Sequence, residues 1–163
     1  MIILGLDPGT AITGYGLIRK VNGDCVLVDF GVIETSKELE AGARLNIIEK
    51  ELKKIIEEYQ PSLASIEKLF FNRNVTTAMK VSEARGVLIN TLTSAGVPIH
   101  EYTPLQIKQA VTGHGTSPKK EVQRMVKLLL KLKEMPKPDD AADGLAAAIC
   151  CGHSLRLEAI NKV

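Results

Sequence analysis

The sequence predicts an α/β protein: a five-stranded mixed sheet with helices on both faces. Three observations lead there. Strand-like runs are grouped at the N-terminus with a hairpin signal among them, helical periodicity begins only after them, and from there strand-like and helix-like segments alternate. The length of 163 residues, 45% of them hydrophobic, suits a single domain, residues 1–163, built on one core.

The first run, residues 2–6, is apolar and breaks at Asp7-Pro8-Gly9, so it reads as a buried strand entering a turn. Residues 13–20 (TGYGLIRK) and 25–34 (CVLVDFGVIE) read as the next two strands, and Asn22-Gly23 between them is a hairpin signal. The three form an antiparallel meander. Leu45, Ile48, Leu52, Ile55 and Tyr59 recur at three-to-four spacing, the pattern of an amphipathic helix, and Pro61 stops it. Residues 62–70 (SLASIEKLF) predict a strand, 76–95 a helix ended by Gly96, and 97–102 (VPIHEY) a fifth strand. Helices follow over 104–111 and 118–132, separated by TGHGTS, and the last helix spans 139–160. A right-handed return through the first helix lays the 62–69 strand parallel to the first strand, and Asp7 and Glu67 then meet at one end of the sheet.

Composition narrows the function classes. No apolar run reaches membrane-spanning length, and the N-terminus lacks the basic flank and apolar stretch of a signal peptide. Cys25, Cys150 and Cys151 fit no paired framework, which points to a reducing cytoplasm. Cys150 and His153 have helical spacing for zinc, but two ligands are too few. The net charge of +2 is unevenly spread: residues 34–67 carry eight acids against five bases, and residues 103–137 eight bases against two acids. The second segment is a candidate phosphate-facing surface, although such runs are usually solvated helix faces.

The acids carry the chemistry. Asp7 ends a buried strand at the sheet edge where open α/β sheets bind ligands, and turn capping is its ordinary alternative. Glu67 falls on a largely buried strand, where Leu63, Ser65 and Glu67 alternate against Ala64, Ile66 and Lys68, and an acid there needs a partner. The last helix opens with PDDAADGLAAAI. Either Asp140 with Asp143 or Asp139 with Asp143 can share one face, and complementing the helix dipole is the alternative use. At about 5 Å and an effective dielectric of about 20, each carboxylate pair repels by about 3 kcal/mol. A converging set therefore calls for a divalent cation, and hard oxygen ligands favour Mg²⁺ or Mn²⁺. Two such ions serve phosphodiester hydrolysis.

The segments GLDPGT, ITGYGLI, IEKLFFNRN, ARGV, TPLQIKQAVTGHG, SPKKEV and DDAADGLAAAI, in that order over residues 1–155, closely resemble the RuvC-type Holliday-junction resolvases, of the RNase H-like fold. The resemblance maps the catalytic, metal-binding carboxylates onto Asp7, Glu67, Asp140 and Asp143, and it selects Asp140 over Asp139. It gives Phe70 a base-stacking role and Asn72, Arg73 and Asn74 backbone contacts; as residues at a strand end Phe70 and Phe71 can instead be core, the reading preferred for Phe71. Lys108 and Lys119 match phosphate-contacting positions, with Lys120 sharing the task. Thr10, Thr13 and Tyr15 are expected along the active-site edge, with Gly14 and Gly16 allowing backbones to approach.

The resemblance implies a Mg²⁺-dependent endonuclease, with Mn²⁺ as substitute and two ions per site, that nicks two opposing strands of four-way junction DNA and leaves 5′-phosphates. It also implies cooperation with the RuvA and RuvB branch-migration complex. Two symmetric cuts from a chain with acids for one centre require a homodimer, for which the 76–95 helix offers Met79, Val81 and Val87, residues that can equally be core. The alternatives are another RNase H-like nuclease acting on RNA–DNA hybrids, a non-catalytic junction-binding protein, and an actin-like or sugar-kinase ATPase. The last shares Asp-x-Gly-Thr but needs a second domain and a second phosphate loop.

Overall fold

The computed structural model describes residues 1–69 and 75–160. Its elements follow the predicted order: β1 Ile2–Asp7, β2 Ile12–Val21, β3 Asp24–Glu34, α1 Ala41–Tyr59, β4 Leu63–Glu67, α2 Val75–Ser94, β5 Ile99–Tyr102, α3 Pro104–Thr112, α4 Lys119–Leu129 and α5 Asp139–Ile160. The five strands lie in the order β3-β2-β1-β4-β5. β1, β2 and β3 pair antiparallel, and β4 and β5 join parallel to β1. Asn22 and Gly23 both take positive φ, 50° and 93°, the turn that closes a two-residue hairpin between twisted strands.

Helices cover both faces. Leu4, Leu6, Leu17, Ile33, Ala64 and Ile66 pack beneath α1 and α2 with Ile48, Leu52, Leu88 and Leu92. Ile3, Ile18 and Leu63 pack on the other face with Ile107, Val122, Val126 and the alanine-rich start of α5. The predicted amphipathic stripe of α1 is core: Ile48, Leu52 and Ile55 are buried.

Most boundaries shift by a single residue, and three shift by two or three, each for a backbone reason. The fourth strand stops at Glu67 rather than 70, where pairing with β5 ends at Glu67 opposite Tyr102. The fifth begins at Ile99, because the Val97 amide donates to the Leu92 carbonyl as part of the α2 terminus and Pro98 has no amide to give. α4 ends at Leu129 because Lys131 adopts φ 53° and the Leu132 and Lys131 amides turn back to the Lys127 and Leu128 carbonyls. A lysine in a position that usually takes glycine leaves no stop signal to read.

The segment between α3 and α4 is built from its own polar groups. Thr103 and Gln106 form a reciprocal capping box at the start of α3, and Gly113, at φ 83°, ends that helix. The Thr112 hydroxyl then bonds to the Lys108 and His114 carbonyls and to Ser117 Oγ, which fixes the entry into α4. Two lysines are thereby placed, Lys108 in the middle of α3 and Lys119 at the start of α4. The Cys150 thiol lies 3.7 Å from the Gln106 carbonyl, and the His153 ring meets the Ala110 carbonyl at 3.0 Å. Among the described residues no helix is long and apolar enough to cross a membrane.

Candidate active site

Leu6 of β1 stands opposite Ile66 of β4 in the parallel ladder, so Asp7 and Glu67, one residue further on, leave the sheet side by side. Strand alternation decides which face they take. On β4, Ala64 and Ile66 point toward α1 and α2, while Leu63 joins the α5 side and Ser65 Oγ donates to the Ala147 carbonyl of α5 at 2.8 Å. Glu67 follows Ser65. On β1, Leu4 and Leu6 face α1 and α2, and Ile3, Gly5 and Asp7 face α5.

α5 reaches these strands because glycines stand at the points of closest contact. A Cβ on Gly5 would overlap the Gly144 carbonyl, one on Gly14 the Asp140 carbonyl, and one on Gly16 the backbone of Leu145. The approach is reciprocal, since a Cβ on Gly144 would lie 2.7 Å from the Tyr15 carbonyl carbon. Gly14 is the strand partner of Asp7. Seating α5 on Gly14 therefore brings the Asp140 backbone beside the end of β1 and turns Asp143 into the same space.

The result is a cleft of about 260 Å³ lined by Asp7, Glu67 and Asp143, by Lys108 and Lys119, and by Ile107, Val122 and Ala146 at its apolar wall. Burial, reinforced by Asp143, Glu67 and Asp140, pushes the Asp7 carboxyl up to about 8, with Lys119 pulling the other way. A shift of that size sets on the order of 5 kcal/mol against ionisation. Glu67 is raised by burial and Asp143, against Lys108 and Lys119. Asp143 is raised by burial, against its hydrogen bond from Lys119. Burial opposes the charge on Lys119, yet the hydrogen bond to Asp143 and the charges of Asp143, Asp139 and Asp140 together outweigh it and hold the ammonium above the usual lysine range. Its Nζ lies 2.9 Å from Asp143 Oδ2 and 3.8 Å from Asp139 Oδ2.

Crowded, desolvated carboxylates with hard oxygen donors fit a divalent cation, the charge that would let them ionise together. In the side-chain positions described, no three carboxylate, imidazole or thiol groups converge on one point, and Lys119 supplies the positive charge among the acids.

The sequence-predicted residues divide as follows. Asp7, Glu67, Asp143, Lys108 and Lys119 share the cleft. Asp140 acts on Asp7 through its charge but does not line the cleft, and Lys120 is exposed outside it. Phe70, Phe71, Asn72, Arg73 and Asn74 lie outside the described residues.

Thr10, Thr13 and Tyr15 correct the expectation that they line the edge. Tyr15 packs on the opposite face with α1, its hydroxyl 3.4 Å from Asp29 Oδ2, because Gly14 and Gly16 take the α5 side of β2. Thr13 Oγ1 donates to the Gly9 carbonyl at 2.7 Å and Thr10 Oγ1 to the Lys80 carbonyl at 2.7 Å, so both brace the turn after Asp7. Sequence reasoning missed the roles of Gly5 and Gly144 in seating α5 and the bond from Ser65 to the Ala147 carbonyl. The readable signal was the match between small residues at alternate strand positions and the small-residue helix AADGLAAA.

A meander of three strands extended by two parallel ones, with carboxylates gathered at the edge shared by β1, β4 and α5, defines an RNase H-like fold with an acidic cleft. The chain belongs to the RuvC family: the family model described as "Crossover junction endodeoxyribonuclease RuvC" matches residues 3–151. The enzyme of that name from Halothermothrix orenii is 53% identical over 157 residues, 96% of this chain and 95% of that one. The T. thermophilus RuvC solved in complex with Holliday junction substrate superposes with a TM-score of 0.91 at 34% identity, covering 97% of this chain and 96% of that one. The yeast mitochondrial Holliday junction resolvase Ydc2, with a TM-score of 0.69 at 12% identity over 98% of this chain and 83% of that one, shares the fold.

Proposed function

We propose that this chain is a Mg²⁺-dependent endonuclease that resolves four-way DNA junctions, nicking two opposing strands by hydrolysis and leaving 5′-phosphates and 3′-hydroxyls. The observation that carries the reading is the meeting of Asp7, Glu67 and Asp143 with Lys108 and Lys119 in one cleft of a RuvC-family chain. A relative solved with its junction substrate supports the choice of DNA.

Asp7, Glu67, Asp140 and Asp143 would hold Mg²⁺, or Mn²⁺ in its place, as two ions. The chemistry such ions would supply there is activation of water and stabilisation of the attacking and leaving oxygens. The chain's own residues supply the rest. Lys108 and Lys119 present ammonium groups at the wall of the cleft, where they neutralise the scissile phosphate. Asp143 aims Lys119 inward through the 2.9 Å contact, so the lysine is placed before substrate arrives. Ile107 and Val122 exclude water on one side, which strengthens these interactions. Lys120 adds a phosphate contact outside the cleft, Phe70 stacks on a base at the crossover, and Arg73 and Asn74 hold the backbone.

Two symmetric cuts require two such centres, so the active form is a homodimer acting in the cytoplasm with RuvA and RuvB. Met79 on α2 is 60% exposed and available for that contact.

The test incubates the protein with Mg²⁺ and either a mobile four-way junction, a duplex of the same sequence or an RNA–DNA hybrid, and maps the products. The expected outcome is paired nicks of like polarity in the junction alone. Cleavage of the hybrid instead would identify another RNase H-like nuclease, and binding without nicks a non-catalytic junction protein. Mixed dimers of wild-type and Asp7→Asn chains on a supercoiled cruciform should give nicked circles, whereas linear product at the wild-type rate would mean that a single centre makes both cuts and would rule out the two-centre dimer.

A further inference from the structure

The ARGV segment includes a residue with no part in the chemistry above. Arg85 lies on α2 with its side chain 19% exposed. Its Nε donates to the backbone carbonyl of Glu67 at 3.3 Å, and its Nη2 pairs with the Glu101 carboxylate on β5. The amide of the same peptide unit, that of Lys68, donates to the Tyr102 carbonyl at 2.8 Å. Both polar groups of the Glu67–Lys68 peptide are therefore engaged, one by β5 and one by Arg85, at the point where the chain leaves the sheet. The guanidinium reaches the main chain rather than the acid, since the cations that act on the Glu67 carboxyl are Lys108 and Lys119.

We propose that Arg85, anchored by Glu101, is a positioning residue for Glu67: it fixes the peptide that follows Glu67, keeps that carboxylate in the cleft, and thereby sets how tightly a divalent cation is held. The inference rests on the metal-dependent reading of the cleft. Arginine suits the task because its planar fork offers separate N–H donors in fixed directions, one for the carbonyl and one for the carboxylate. Lysine, with a single nitrogen, can keep the ion pair but not both contacts.

The test follows Mn²⁺ binding to the metal-free protein by calorimetry, exchange of the Lys68 amide, junction binding in EDTA and single-turnover junction cleavage. It uses wild type, Arg85→Lys, Arg85→Ala and Glu101→Gln. Arg85→Lys is expected to melt and bind junction like wild type, to exchange the Lys68 amide faster, and to hold Mn²⁺ roughly ten-fold more weakly. Its cleavage should fall by the same factor at low Mn²⁺ and return at saturating Mn²⁺, and Glu101→Gln should show a smaller loss in the same direction. Wild-type Mn²⁺ affinity in both Arg85→Lys and Glu101→Gln would overturn the proposal, as would cleavage that falls only in step with melting temperature. If Arg85→Ala fails to fold, those two variants decide. A wild-type chain that neither binds Mn²⁺ nor nicks the junction overturns the reading of the site and this inference with it, and does so before any variant is made.

Discussion

The two faces of the sheet are packed on different principles. Under α1 and α2 the contact is made by large side chains: Leu4, Leu6, Leu17, Ile48, Leu52, Ile66, Leu88 and Leu92 are all fully buried. Under α5, Ile3, Ile18, Leu145 and Ile149 are buried too, but toward the end that carries the acids the contact is made by Gly5, Gly14 and Gly16 against Gly144 and a run of buried alanines, so backbone meets backbone. A layer of leucine and isoleucine can repack around a lost methyl group, whereas two main chains in contact have no rotamers to change. The side that tolerates least is the side that carries Asp7, Glu67, Asp140 and Asp143. Close approach of this kind places the first turn of α5 within a narrow range, which a site built from several elements needs.

The largest expected effect separates the faces directly. Gly14→Val drives a branched side chain into the Asp140 carbonyl and should cost about 4 kcal/mol or more, above the usual range for overpacking. Leu88→Ala, a cavity on the other face, should cost about 3 kcal/mol and leave cleavage per folded molecule within about two-fold of wild type. Urea denaturation with cleavage on the same samples measures both, and a Gly14→Val chain as stable as Leu88→Ala would break the comparison.

The second effect is a pH dependence confined to the α5 side. Because the Asp7 carboxyl is pushed up to about 8, the folded chain holds its proton more tightly than the unfolded chain does. That stabilisation is complete below the ordinary value of 3.8 and is lost as pH rises through about 8. Metal-free wild type should therefore melt lower at pH 8.5 than Asp7→Asn, and the variant's advantage should vanish near pH 4. Leu88→Ala should lower melting by a similar amount at both values. Differential scanning calorimetry in EDTA checks this.

Smaller still is Ser65→Ala, which removes the buried bond to the Ala147 carbonyl that ties α5 to β4 and should cost about 1 kcal/mol in urea titrations. Asp139→Asn should change stability by less than about 0.5 kcal/mol, since its contact to Lys119 spans 3.8 Å and its side chain is 63% exposed. Cleavage should survive Asp139→Asn and fail in Asp140→Asn, whose charge acts on Asp7.

Much of this was legible in the chain. Alternation along SLASIE placed Glu67 and Ser65 on one face, the Asn-Gly pair set the hairpin, and the crossover rule joined β4 to β1. What was not legible depends on the partner of each residue. Thr13 and Tyr15 sit near Asp7 in sequence, yet the parity of β2 turns Tyr15 to the other face, and parity is fixed only once Gly14 and Gly16 are known to carry α5. Arg85 gave no sign in its own segment, because its partners, the Glu67 carbonyl and the Glu101 carboxylate, come from two other elements. The end of α4 was hidden by Lys131 in a left-handed turn.

The central claim is that the acids gathered by α5 form a divalent-cation centre that cuts junction DNA. The most direct measurement is single-turnover nicking of a four-way junction by wild type and Asp7→Asn in Mg²⁺, with junction affinity measured in EDTA. On the proposed reading phosphate contacts from lysines supply most of the affinity, and binding should then be nearly unchanged. The account predicts paired nicks from wild type and none above background from Asp7→Asn. Nicking by Asp7→Asn at the wild-type rate would contradict it.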